Sequence, residues 1–248
     1  MLTLFVVATA AVFMGGLSKG FNGFGHALIA TSLTATLVPA PQAVALVIPS
    51  LIAANTELVS GLGKAEAIKC VSEFRYYLAA ALFGVTSGML AIDFIPANLL
   101  KAAVGAFAVL YAASRLELLE AATSKLRNVC FKSHETGIGF LTGIVYGASN
   151  VALLAVSYLE SRELETKKFR GVLAIVVLGL ALYRLSIATA LGLFTGPEKL
   201  AAAVALTAPA LLGVKLGEKL SGRVPEKVLE KVSIGLIAVI GFKLLASF

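Results

Sequence analysis

The sequence predicts an all-α integral membrane protein made of two inverted repeats, each a broken helical hairpin plus three transmembrane helices. Three observations predict it. The chain of 248 residues is 58% hydrophobic and only 14% charged, with a mean hydropathy of +0.92, where a soluble domain carries about a quarter charged residues. The chain is also written twice. Phe13, Gly16 and Gly20 recur 127 residues later as Phe140, Gly143 and Gly147. Gly84 and Gly88 recur 129 residues later as Gly213 and Gly217, and Pro96 recurs as Pro225. Two similar halves in an apolar chain point to a membrane protein with its site at the repeat interface. Finally, 16 of the 21 Lys and Arg residues fall in four segments, 63–75, 115–135, 159–170 and 215–231. The positive-inside rule makes these segments cytoplasmic.

The elements follow from the apolar runs 1–17 with 24–38, 41–63, 76–92, 98–114, 136–158, 169–195, 200–214 and 232–248. Several of these approach the roughly 20 apolar residues needed to cross a bilayer. They make one membrane domain, 1–248, with repeat 1 at about 1–118 and repeat 2 at about 134–248. The N-terminal run lacks a basic flank and a cleavage site, so it reads as a retained first segment. Connectors 38–41, 93–97 and 192–199 hold one basic residue, Lys199, and read as external. Segment 136–158 then lies between two cytoplasmic segments and must enter and leave on one face. It reads as a hairpin broken at 143–150, and its counterpart 1–38 as a hairpin broken at 17–25. An odd number of crossings follows each hairpin, so the halves are inverted and both termini are external.

A break in hydrocarbon must be buried in protein or face a water-filled cavity. Gly16, Gly20, Gly23 and Gly25 permit the first break or a close backbone approach. The spacing Gly16/Gly20, Gly139/Gly143/Gly147, Gly84/Gly88 and Gly213/Gly217 equally suits tight helix–helix packing. The net charge of +7 sits in short loops, which argues against nucleic acid. Cys70 and Cys130 fall on the reducing side and are expected as free thiols.

Outside the loops and helix ends, three formal charges lie within apolar runs: Lys19, Glu57 and Arg184. Such residues face the protein interior or an aqueous path. Lys19 is placed in the first break, beside a helix N-terminus starting near Phe24 whose free N–H groups favour an anion; the bland alternative is a lysine that snorkels to the surface. Asn22 there, and Ser149 and Asn150 in the second break, add donors. His26 reads as packed, and no Cys/His cluster suggests a metal. Arg184 reads as an anion contact or a helix-to-helix tie. Glu57 occupies the equivalent repeat position but near the opposite face, so the two are not expected to pair. Glu57 reads either as a proton carrier or as an inner-surface residue facing Lys64, with Asn55 beside it as a polar contact.

The run GLSKGFNGFGHALIATSLTATLVPAPQAVALVIPSLIAANTELV (16–59), with its glycine-rich break, Pro and Gln-Ala opening the next helix, resembles the sulfite exporter TauE/SafE family of transporters. The repeated glycine and proline elements extend the resemblance over nearly the whole chain. It implies a multi-pass carrier of sulfite, sulfonates or related organosulfur anions in the plasma membrane of a prokaryote. The expected substrate-binding set is Lys19, Gly20, Asn22, Gly23, Ser149, Asn150 and Arg184, with Glu57 and Asn55 as coupling candidates. Expected partners are a small anionic solute, the lipid bilayer and a coupling ion, proton or sodium; a homodimer stays open. No cofactor is expected. A passive anion channel of the same architecture is the alternative. A membrane enzyme is disfavoured because one intramembrane acid stands nearly alone.

Overall fold

The computed structural model describes residues 2–91, 94, 96–114, 134–190, 192, 197–221, 223 and 226–246. All regular structure among them is α-helical: α1 (Leu2–Asn22), α2 (His26–Thr34), α3 (Ala40–Ser60), α4 (Lys64–Glu73), α5 (Arg75–Ala91), α6 (Ala97–Ser114), α7 (Glu135–Ser149), α8 (Leu153–Ser161), α9 (Thr166–Ala190), α10 (Pro197–Ala205), α11 (Thr207–Ser221) and α12 (Glu226–Ala246). Among the described residues four stretches are long and apolar enough to cross a membrane, Leu4–Asn22, Gln42–Ser60, Lys168–Ala190 and Leu200–Ser221. The last joins α10 and α11. Pro209, three residues into α11, has no N–H for the carbonyl of Ala205, and the helix is interrupted there. Large apolar side chains such as Phe83, Leu110, Leu212 and Phe242 stay exposed, as lipid-facing surfaces require.

The repeat in the sequence reappears in the helices. α2 and α8 are both nine residues long and start and end 127 positions apart. The helices before them, α1 and α7, end at Asn22 and Ser149, again 127 apart. At about 1.5 Å per residue α1 extends about 31 Å, enough to cross a bilayer, whereas α2 and α8 extend about 14 Å, about half of one.

Both breaks lie later than expected. The expected limits were 17–25 and 143–150. The structure carries α1 through to Asn22 and α7 through to Ser149. The breaks are 23–25 and 150–152. Gly16, Gly20, Gly143 and Gly147 are helical, and close packing explains them. A Cβ on Gly16 or Gly20 would collide with the carbonyls of Ala210 or Val214, and one on Gly213 or Gly217 with those of Phe13 or Leu17. The same interlock joins the other pair. Gly84 and Gly88 abut the carbonyls of Phe140 and Ile144, while Gly139, Gly143 and Gly147 abut those of Tyr77, Ala81 and Val85. Residue numbers rise together along both seams, so α1 runs parallel to α11 and α5 parallel to α7. Lipid offers no hydrophobic drive for helix association, so backbone-close packing of this kind supplies it. Each seam joins one repeat to the other.

α3 and α9 pack head to tail. Gly171, in the second turn of α9, faces Leu62 just beyond the end of α3. At the other end, Arg184 of α9 is joined through Asn150 to the carbonyl of Val44 in the second turn of α3. Between α3 and α5, the basic segment 63–75 is a helix, α4, rather than a loop. Its lysines are exposed and its Cys70 is buried. Lys215 and Lys219, read as loop residues, sit on the last two turns of α11. Residues 115–133, with Arg115, Lys125, Arg127, Lys132 and Cys130, lie outside the described residues, as do Pro225, positions 93 and 95 of connector 93–97 and positions 193–196 of connector 192–199.

Candidate functional site

The two breaks share one left-handed position. Gly23 and Gly25 have φ of 84° and 97°, and Asn150, the repeat counterpart of Gly23, has φ of 65°. Asn is among the few residues that enter this left-handed region at modest cost. The second break thus keeps the left-handed turn of the first at Asn150 but not at Ala152, the counterpart of Gly25, whose φ is −100°. In each break the chain leaves one helix C-terminus and opens another helix N-terminus, which leaves four buried helix ends to satisfy.

The two C-terminal ends are each served by a cation. Lys19, in the last turn of α1, donates from Nζ to the carbonyl of Gly23 at 3.2 Å. Arg184, reaching over from α9, donates from Nη1 to the carbonyl of Tyr146 at 2.6 Å and to Oδ1 of Asn150. Its guanidinium also stands 5.8 Å from the centre of the Tyr146 ring. A cation at a helix C-terminus complements the partial negative charge there. Lys19 and Arg184 are 2% and 1% exposed, so neither snorkels. Among the described residues no carboxylate pairs with either. The ion pairs instead join Lys168 to Glu73 at 3.4 Å and Lys215 to Glu57 at 3.6 Å.

The two N-terminal ends are not served. Neither α2 nor α8 has a side-chain cap: their N-cap positions are Gly25 and Ala152, which carry no hydrogen-bonding side chain. Both ends open onto one small cavity of about 30 Å³. Gly23, Gly25, His26 and Ala27 line it from the first break and Asn150, Ala152 and Leu153 from the second, with Lys19 among them and Leu51, Leu173 and Val177 as apolar wall. By the usual measure such a volume admits one or two waters.

Of the sequence-predicted site residues, the structure brings together Lys19, Gly23 and Asn150 at this cavity. The other candidates stand apart from it. Lys19 is helical, one turn before the break rather than inside it. Gly20 belongs to the α1–α11 seam. Asn22 is half-buried, with its amide nitrogen unpartnered. Ser149 turns back on the backbone: it donates to the Val145 carbonyl at 2.7 Å and accepts from the Val151 N–H at 3.2 Å. Asn150 donates to the Val44 carbonyl at 2.9 Å and accepts from Arg184, so its side chain is a strut and not a free donor. Arg184 is likewise the helix-to-helix tie of the two roles read for it. Glu57 is paired with Lys215 and not with Lys64. Asn55 is buried, donates to the Leu51 carbonyl at 2.7 Å and leaves Oδ1 unpartnered. Neither Glu57 nor Asn55 lines the cavity.

Sequence reasoning missed the backbone of the second half-helix, Ala152 and Leu153. The 127-residue offset from Gly25 and His26 is the signal that finds them. His26 is packed, as its position in an apolar run suggested. Its Nε2 lies 3.1 Å from Ser50 Oγ, and Gly15 leaves room for its ring, since a Cβ there would stand 2.7 Å from the His26 carbonyl and 3.2 Å from Nδ1. Among the described residues no group of His, Cys, Asp and Glu could hold a metal ion.

The family model described as Sulfite exporter TauE/SafE matches residues 8–244. No curated protein and no solved structure matches the chain.

Proposed function

The chain belongs to the sulfite exporter TauE/SafE family, and from that premise we propose that it is a secondary transporter. It carries a small anion, of the sulfite, sulfonate or related organosulfur kind, across the plasma membrane of a prokaryote by alternating access. One observation carries the choice of an anion. At the two breaks both helix C-termini are served by cations, while both N-termini are open onto a shared cavity lined by a lysine without a counter-ion. A buried cation without a counter-ion is expensive, and uncapped helix N-termini attract negative charge. A small anion satisfies both at once.

Inverted repeats follow from the same premise. Helices α3 and α9 are repeat counterparts, and a repeat related by an axis along the membrane normal would align them in parallel; their head-to-tail packing supports inversion. The small size of the cavity favours a carrier that occludes its solute over an open anion channel.

Direct binding of sulfite to the purified protein tests the reading. A charge-assisted contact is worth about 1.5–3 kcal/mol, so Lys19→Ala should weaken binding by roughly one to two orders of magnitude. Lys19→Arg, which keeps the charge, should lose less. A bound anion should also raise the melting temperature, because a ligand stabilises the state it binds. Wild-type affinity in Lys19→Ala would move the anion site away from this cavity.

A further inference from the structure

A second space lies beyond the first break. It is a vestibule of about 430 Å³ at the end of the molecule where α3 finishes and α9 and α4 begin, walled by Leu58, Leu62, Arg170, Glu218 and Ser221. Arg170 lines this vestibule and also packs on Gly23, which lines the first cavity. A Cβ on Gly23 would lie 2.9 Å from Arg170 Cγ and 3.3 Å from its Cα and Cβ, so the stem of Arg170 lies directly on the backbone of the break. The head of the same side chain turns the other way. Its Nη1 and Nη2 donate to the single hydroxyl oxygen of Ser221 at 3.4 and 3.3 Å, long bonds at the weak end of the range. At Asn150, the repeat counterpart of Gly23, the backbone is instead tied by the buried strut of Asn150, Arg184 and Val44.

We propose that Arg170 is the inner gate of this pathway, its stem closing the cavity at Gly23 and its guanidinium forming the first binding site for an anion that enters from the vestibule. The proposal rests on the transport reading and adds to it a second anion contact and an order of events. An incoming anion with acceptor oxygens meets a planar donor fork that already spends two N–H groups on one hydroxyl. It takes those donors from Ser221. As the head swings toward the anion, the stem leaves Gly23, and Lys19 lies on the far side of the glycine. Glu218, in the same wall, opposes the anion and keeps the vestibule from holding it too tightly. Lys215 and Glu57 neutralise each other close by.

The gate and the charge are separable. In a background carrying Cys70→Ala and Cys130→Ser, a Val177→Cys reporter sits in the cavity wall. Its reaction with a small impermeant thiosulfonate added from the vestibule side should be slow with Arg170 in place. It should be roughly tenfold or more faster in Arg170→Ala. Arg170→Gln keeps most of the stem, so labelling should stay slow, while the KM for sulfite in proteoliposomes should rise roughly tenfold with loss of the charged contact. Glu218→Gln should lower that KM. Unchanged labelling in Arg170→Ala, or an unchanged KM in Arg170→Gln, overturns the proposal. Lys19→Ala assayed beside them keeps the two readings apart. If Lys19→Ala abolishes sulfite binding while the Arg170 variants behave as wild type, the transport site stands and the gate falls. If Lys19→Ala has no effect, the site itself falls.

Discussion

At Gly23 two demands meet in one residue. Its φ of 84° excludes most side chains, and Arg170 leaves no room for a Cβ. Gly23→Ala should therefore lower stability by about 1–2 kcal/mol from backbone conformation alone, with the clash added. Gly23→Asn should be milder than Gly23→Val, because Asn150 shows that asparagine accepts the same turn in the other repeat. Thermal unfolding in detergent ranks the three, and an Asn variant as unstable as the Val variant would contradict this account. Cys70 offers a separate check on α4. Burial pushes its thiol above the ordinary thiol range, which lowers the thiolate fraction at neutral pH, and the thiolate is the reactive form. Alkylation of Cys70 in the folded protein should be slow at pH 7, rise only as the pH becomes strongly alkaline, and become faster at neutral pH once the protein is unfolded. Prompt labelling of the native protein at pH 7 would mean that α4 does not bury it.

At the scale of the element, the glycine seams separate packing from flexibility. A Cβ on Gly84 or Gly143 would run into a facing backbone carbonyl, whereas Gly179 in α9 has no neighbour within 4 Å of the Cβ position. Gly143→Ala should cost several kcal/mol, since neither backbone can move without breaking the seam. Gly179→Ala should be neutral or stabilise by up to about 1 kcal/mol, because alanine is the better helix former. Equal effects of the two would show that the seam is not as close as described. The seams also show what could be read from the sequence and what could not. The glycines at 127- and 129-residue offsets revealed the repeat and the small-xxx-small pairs, but not α4 or the interruption between α10 and α11. They could not reveal whether Gly16 and Gly20 make a turn or a contact, since glycine serves both, and so the breaks were expected too early. Lys19, Gly23 and Asn150 were found because a charge in an apolar run and a break in a helix are both local signals. The roles of Asn150 and Arg184 depend on partners 34 residues apart or more, and no local pattern carries that.

For the whole molecule, the topology makes a prediction independent of the site. Under the proposed inverted arrangement, with the basic segments inside, a cysteine at exposed Gly63 should react only from the cytoplasmic side, and one at exposed Asn98, at the start of α6, only from outside. Accessibility in oriented vesicles reads this directly. Labelling of the Asn98 position from the cytoplasm alone would reverse the arrangement. The family match and the apolar helices support a membrane carrier. Under the proposed alternating access, its two halves would not be its two moving bodies. α1 is bound to α11, and α5 to α7, so any rocking motion carries a piece of each repeat on each side.

The α1–α11 seam also has a consequence for biosynthesis. The glycine face around Gly16 and Gly20 is covered by residues near 210–218, almost 200 positions further along the chain. At about 5–20 residues per second of synthesis, the first helix waits on the order of 10–40 s in the bilayer before its partner is made. During that interval its narrow face is open to any other helix nearby. A nascent chain stopped at Ala190 should be cleared rapidly by membrane proteolysis, and co-expression of 191–248 as a separate fragment should rescue it. If the shortened chain accumulates on its own, α1 has found another partner and the seam is not what holds it.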